Sequence, residues 1–140
     1  MGNTFQISIL AADCPFYEGA CESVVIPTPQ GQYGILAGHS NVIMAVVPGA
    51  LSYTLPGEAP RIAAVSSGLV KVENNEVLVL VDSAERPEDI DANRAQRAAD
   101  EAKEELLQKK SIQEYRSAQA QLARAISRLR IKSHYMESKN

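Results

Sequence analysis

The sequence predicts an α+β protein: an N-terminal antiparallel β-sandwich followed by a C-terminal antiparallel two-helix hairpin. Three observations carry that expectation. Short β-branched runs separated by turn signals fill the chain from Thr4 to Asp82. Beyond Pro87 there is no glycine or proline, and small apolar residues recur at three-four spacing. Charge is partitioned the same way: residues 1–83 hold 2 of the 14 basic and 7 of the 17 acidic side chains, and the remaining 57 residues hold 12 and 10. The domain ranges that follow are 1–84 for the sandwich and 85–140 for the hairpin.

The strands are legible one by one. Phe5, Ile7 and Ile9 alternate with polar residues, the mark of a strand with one wet face. Val24-Val25-Ile26, Ile62 to Val65, Leu69 to Val72 and Val77 to Val81 are further β-branched runs. The last is apolar on both faces, which predicts a central strand. Pro48-Gly49 and Pro56-Gly57 read as turns, and Asn74-Asn75 suits a tight hairpin.

The helices begin after Glu85. Pro87 followed by Glu88, Asp89 and Asp91 predicts a helix start, with proline in the first turn and acids near the positive end of the dipole. One helix is expected to about Leu107 and a second from about Ile112 to Ile131, broken at Lys109-Lys110-Ser111, too short a link for anything but an antiparallel pair. Residues 85–107 count 4 basic against 8 acidic side chains and residues 108–140 count 8 against 2, so an acidic helix faces a basic one. Ala92, Ala95, Ala99, Ala102 and Leu106 would meet Tyr115, Ala118, Leu122, Ala125 and Leu129 across the seam. Alanine contributes little apolar surface, about 0.8 kcal/mol per methyl-sized group. Two readings stay open here: a hairpin packed for good, or one held weakly enough to open and offer its basic helix to another acidic surface.

Composition narrows the function classes. A net charge of −3 argues for neither nucleic acid nor an anionic membrane surface. No apolar run approaches the roughly 18 residues that span a bilayer, and the N-terminus lacks the layout of a signal or transit peptide. The two cysteines, Cys14 and Cys21, and the two histidines, His39 and His134, lack metal-site spacing, so no metal is expected and both cysteines are read as buried or half-buried apolar residues. A nucleic-acid module built on the basic C-terminal segment would have only Tyr115 and Tyr135 there for stacking. A small enzyme would need a nucleophile and base that the chain does not display.

One constellation suits a ligand. Asp91 and Arg94 are three apart at the start of the first helix, and Arg124 and Arg128 four apart near the end of the second. An antiparallel hairpin brings these ends together, with Glu85 just outside. Guanidinium groups beside a carboxylate fit a nucleotide, the arginines for phosphates and the acid for a base or ribose donor; the same charges also read as ordinary solvated helix pairs. No phosphate loop of the Gly-x-x-x-x-Gly-Lys type is present, and Gln30-Gly31-Gln32-Tyr33-Gly34 reads as a turn, so any nucleotide would regulate rather than be hydrolysed.

Gly34-Ile35-Leu36-Ala37-Gly38-His39, Ser66-Ser67-Gly68, Ile90-Asp91-Ala92-Asn93-Arg94-Ala95 and Leu122-Ala123-Arg124-Ala125-Ile126-Ser127-Arg128-Leu129 occur in this order. Together they resemble the epsilon subunit of the bacterial rotary F-type ATP synthase, from about Thr4 to Ile131. Ala37 stands where that family often has proline, and Ser67 where it often has glycine. The resemblance implies a ten-stranded sandwich and two helices in a non-catalytic central-stalk subunit. It implies a seat against the gamma subunit and the membrane rotor ring of c subunits, peripheral to the cytoplasmic face of the bacterial membrane without direct insertion, in a proton- or sodium-translocating complex. It implies C-terminal helices that extend to inhibit ATP hydrolysis at the catalytic beta and alpha subunits, and ATP as a regulatory ligand that favours the folded form. Matched position by position, the ATP contacts would be Glu85, Ile90, Asp91, Arg94, Ala95, Arg124 and Arg128. Lys109, Lys110, Arg116, Arg130 and Lys132 are candidates for inhibitory contacts, and Gln30, Gly31, Gln32, Tyr33 and His39 for a loop facing the rotor ring. The residues do not reject a purely structural stalk subunit whose hairpin never opens.

Overall fold

Alternation along the first strand, β1 (Phe5–Ala11), buries Phe5, Ile7 and Ile9 and leaves Gln6 in water. The structure is a computed structural model that describes residues 3–108 and 111–137. It divides into two compact units between Arg86 and Pro87.

In the first unit the described residues form ten strands in two five-stranded sheets. One sheet runs in the order β2 (Pro15–Cys21), β1, β9 (Glu76–Val81), β8 (Gly68–Glu73), β5 (Val42–Val46). The other runs β10 (Ala84–Glu85), β7 (Arg61–Val65), β6 (Gly49–Thr54), β3 (Ser23–Thr28), β4 (Gly31–Leu36). Ile7, Ile9, Val70, Val72 and Val79 from the first meet Val24, Ile26, Ile35 and Leu51 from the second in one core. Pairing is antiparallel with one exception, β1 beside β9, which is parallel. Strand patterns carry no direction, so that pair was not legible beforehand.

The Val77–Val81 run is central as expected, flanked by β1 and β8. Only one of its faces is buried, however: Val77, Val79 and Val81 point inward while Leu80 remains 39% exposed. The cross-strand register aligns Leu10, Leu80, Leu69 and Ala45 in an outward apolar row over four strands. Asn74 and Asn75 both adopt positive φ, 51° and 62°, as a two-residue hairpin of the mirror-image turn type requires. Asn75 also works through its side chain, accepting from the Gly38 amide at 2.8 Å and donating to the Thr4 carbonyl at 3.0 Å, so one residue ties the hairpin to two other segments. Cys21 is buried as expected, but Cys14 is exposed. It sits in the tight link between β1 and β2, where the Ala11 amide donates to its carbonyl at 3.0 Å.

The second unit opens differently from the sequence expectation. Pro87 starts a short 3-10 turn, Pro87–Asp89, and not the first helix. Helix α1 (Ala92–Leu107) begins after Asp91, whose extended backbone and short carboxylate make it the N-cap. Helix α2 (Ile112–Glu137) runs past the expected end at Ile131. Ser111 starts it, its hydroxyl accepting from the Glu114 amide at 3.2 Å; Ser-x-x-Glu is a capping-box pattern that the sequence already contained. The pair is antiparallel, because Lys132 near the end of α2 reaches Pro87 and Glu88 just ahead of α1. Ala95, Ala99, Ala102, Ala118 and Ala125 are buried along the seam, with Leu106, Leu122 and Leu129 half-buried. Tyr115 is not part of it, at 47% exposure: it stands at the hairpin tip, where α1 is ending at an 80% exposed Leu107. At the other end the apolar closure is instead deepened by Ile90 and Ile131, both buried.

A β-carbon added at Gly68 would lie 1.9 Å from the Leu80 carbonyl oxygen, whereas one at Gly34 meets open space. Gly68→Ala is therefore expected to lower sandwich stability by roughly 2–3 kcal/mol and Gly34→Ala by less than about 0.5 kcal/mol. Urea midpoints of the two variants check this, and equal midpoints would refute the close approach of β8 and β9.

Candidate functional site

The residues that the sequence singled out sit on three short stretches: the Ala84–Ala95 segment, the last third of α2, and the surface loops of the sandwich. Glu85 is carried by β10, paired to Ala64 of β7, so it is a strand residue of the sandwich unit. Ile90 follows the 3-10 turn, donating its amide to the Pro87 carbonyl at 3.2 Å, and its side chain is buried. Asp91 comes next. Its Oδ1 accepts from the Arg94 backbone amide at 3.1 Å and its carbonyl from the Ala95 amide at 3.0 Å. The Asp91–Arg94 relation is thus first a backbone cap, placing a carboxylate at the positive end of α1. The Arg94 side chain is exposed and the Ala95 methyl is buried in the seam.

On α2, Arg124 and Arg128 are half-buried one turn apart. Lys132 continues that spacing, and its ammonium donates to the carbonyls of Pro87 and Glu88, each at 3.4 Å. Sequence reasoning placed Lys132 among inhibitory contacts and missed this bond, although the i, i+4, i+8 series Arg124, Arg128, Lys132 was visible. Arg116 and Arg130 are exposed on α2. Lys109 and Lys110 lie outside the described residues. Three guanidinium groups (Arg94, Arg124 and Arg128), a helix-capping carboxylate and a buried isoleucine therefore belong to one helical unit. Their chemistry suits a polyanion with an apolar or hydrogen-bonding end.

The loop set is partly brought together. Gln30 is in the turn between β3 and β4, and Gly31 opens β4 at φ 115°, a value suited to glycine. Gly31, Gln32 and Tyr33 are therefore strand residues, where the sequence suggested a turn. His39 Nδ1 lies 2.7 Å from the Ser40 carbonyl, which can only accept, so Nδ1 carries the proton. Nε2 is hydrogen-bonded to the Tyr33 hydroxyl at 2.8 Å, with the rings edge to face at 5.5 Å.

Other reactive groups are occupied structurally. Cys21 donates to the carbonyls of Ser23 and Thr54 at 3.0 and 3.3 Å, and burial pushes its thiol above the ordinary range. A shallow hollow of about 410 Å³ at the end of the first sheet is lined by Lys71, Glu73, Asn74, Glu76 and Leu78. Its lysine and Glu73 are paired at 2.7 Å, and that hydrogen bond holds the carboxyl below its usual range. Among the described residues no group of three His, Cys, Asp or Glu side chains could hold a metal ion.

Comparison with known proteins gives a coherent answer. Residues 4–87 match the family described as ATP synthase, Delta/Epsilon chain, beta-sandwich domain, and residues 88–133 its long alpha-helix domain. The ATP synthase epsilon chain of Caldanaerobacter subterraneus is 41% identical over 138 residues, covering 98% of this chain and 99% of that one. The epsilon chain of Shouchella clausii is 36% identical over 131 residues, covering 94% and 96%. Two solved assemblies share the fold. In the Euglena gracilis mitochondrial ATP synthase (OSCP/F1/c-ring) the match has a TM-score of 0.76 at 20% identity, over 89% of this chain and 79% of that one. In the Tetrahymena thermophila central stalk and c-ring it has 0.68 at 11%, over 91% and 95%.

The cap makes a separable prediction. Asp91→Ala is expected to cost about 1 kcal/mol of first-turn stability in α1, seen as roughly fivefold faster amide exchange at Arg94, with Asp91→Ser recovering most of it. Unchanged exchange at Arg94 in the alanine variant would show that the carboxylate does not cap the helix.

Proposed function

The chain belongs to the ATP synthase delta/epsilon family, as an epsilon chain and hence a non-catalytic subunit of the ATP synthase complex, and from that membership we propose that its hairpin is an ATP-sensitive restraint on hydrolysis. The sandwich is the anchoring part. It seats the subunit on the central stalk against gamma and, through Gln30, Gly31, Gln32, Tyr33 and His39, against the ring of c subunits at the cytoplasmic face of the membrane. The outward row Leu10, Leu80, Leu69 and Ala45, beside a 69% exposed Ile43, is the kind of contiguous apolar surface that a partner protein covers, and it supports the gamma contact. No helix among the described residues is long and apolar enough to cross a membrane.

The observation that carries the switch is the alanine seam. Five buried alanines hold α1 on α2 where leucines would normally be found. A ligand at 100 times its dissociation constant shifts an equilibrium by about 2.7 kcal/mol, so only a weakly held hairpin answers to it. ATP is that ligand. Arg94, Arg124 and Arg128 take the phosphates; Glu85 and Asp91 take donors of the base or ribose; Ile90 and Ala95 supply the apolar wall. ATP favours the folded form because contacts from both helices exist together only there. Extended, the basic helix turns Arg116 and Arg130, together with Lys109, Lys110 and Lys132, toward acidic surfaces of the beta and alpha subunits and blocks hydrolysis. No metal is needed for this regulatory binding.

Two experiments test the reading. Arg124→Glu with Arg128→Glu should abolish ATP binding in calorimetry and weaken inhibition of hydrolysis in the reassembled complex; an unchanged ATP affinity would sink the site. Truncation after Asp89 keeps all ten described strands. The shortened chain should bind gamma and support coupled synthesis while inhibition disappears, and failure to bind gamma would show that the sandwich is not the stalk-binding part.

A further inference from the structure

The Lys132 ammonium, near the end of α2, bonds to the segment ahead of α1. Both of its acceptors are backbone carbonyls of the 3-10 turn. Pro87 O is already used once, by the Ile90 amide. A carbonyl oxygen has two lone pairs and carries partial negative charge, so Pro87 O can accept a second bond beside that of the Ile90 amide. An ammonium supplies both a donor and a positive charge to these oxygens. Lys132 is half-buried and its neighbour Ile131 is buried, so the stem is seated in the unit while the head reaches the turn.

The position of the turn gives this bond its consequence. Ile90 and Asp91 follow it directly, and Asp91 caps α1. Where the turn sits therefore fixes where the buried isoleucine and the capping carboxylate stand with respect to α2. Arg124 and Arg128 lie two turns and one turn before Lys132 on the same side of α2. We propose that Lys132 is a positioning residue of the nucleotide site: by holding the Pro87–Asp89 turn on α2 it sets the distance between Ile90-Asp91 and the Arg124–Arg128 pair. This rests on the nucleotide reading above and extends it. Lys132 touches backbone and not the phosphates, and its bonds exist before any ligand arrives. The same ammonium must leave the turn before it can meet an acidic surface elsewhere, so the contact also opposes opening.

The test uses the full chain with two substitutions. Lys132→Met keeps the length of the stem and removes charge and donors; Lys132→Arg keeps both. Amide exchange is followed without nucleotide, and ATP is then titrated by calorimetry. Lys132→Met is expected to speed exchange at Ile90 about tenfold, the loss of one charge-assisted hydrogen bond, and to weaken ATP binding by a similar factor. Exchange at Val79 in the sandwich should not change, showing an intact fold, and Lys132→Arg should restore both readings. Unchanged exchange at Ile90 in the methionine variant overturns the anchoring. Faster exchange with unchanged ATP affinity overturns the positioning role, because the turn would then be held for some other purpose. Wild-type protein that binds no ATP overturns the nucleotide reading alone, and Ile90 exchange still decides whether Lys132 holds the turn.

Discussion

Alanine packed on alanine is the constraint on which the helical unit depends. A buried methyl is worth about 0.8 kcal/mol, whereas a buried valine, leucine or isoleucine side chain in a core is worth about 1.5–3 kcal/mol. The sandwich is built from the second kind, with Ile7, Ile9, Ile26, Ile35 and Leu51 sealed at its centre. The hairpin is built largely from the first, through Ala95, Ala99, Ala102, Ala118 and Ala125. Small residues let two helices approach closely, so dispersion is gained over a long contact, but each layer can be given up cheaply. The contrast supports a division of labour: a body that keeps its shape and an arm that can change it.

Closure of such a seam then depends on its ends. At the tip, Leu107 and Ile112 are largely exposed and offer little. At the open end, by contrast, three different interactions are crowded into a few residues. Pro87 and Ile90 close a 3-10 turn, Asp91 caps α1, and Lys132 ties the turn to α2. Ile90 and Ile131, the two isoleucines buried among the described residues of this unit, are also here. Stability in the hairpin is therefore uneven along its length, and the strongest part is the one that carries the candidate ligand residues.

Much of this was legible in the sequence. The strand runs, the two-asparagine turn, the antiparallel helices and the family resemblance, which the domain matches bear out, all follow from periodicity and ordered motifs. The failures have local causes. Pro87 resembled a helix start because proline and acids favour a first turn, yet Asp91, a better N-cap, lay four residues on and won. Tyr115 fitted the three-four pattern, but a pattern on one helix says nothing about where its partner stops. Cys14 followed the general burial preference of cysteine into a link too tight to bury it. The parallel β1–β9 pair and the Lys132 bond are non-local: one joins the two ends of the sandwich sequence, the other spans 45 and 44 residues, and no single-strand or single-helix pattern encodes either.

The placement of the candidate site at the open end has a physical logic beyond the residues themselves. A ligand biases two states only by the difference in its affinity for them, however tightly it binds either. Contacts confined to one helix survive opening and contribute no bias. In the proposed switch, contacts drawn from the start of α1 and the end of α2 would be separated together on opening, so nearly the whole binding free energy would become differential. The same argument holds for Lys132, whose bonds also join the two ends, except that it acts without a ligand. On the proposed reading, a fixed intramolecular tie would set the resting balance of the hairpin, and a soluble anion at the arginines would then adjust it. Because the alanine seam would add little to either side of that balance, changes of about one or two kcal/mol at this single end would be enough to decide the state of the whole arm.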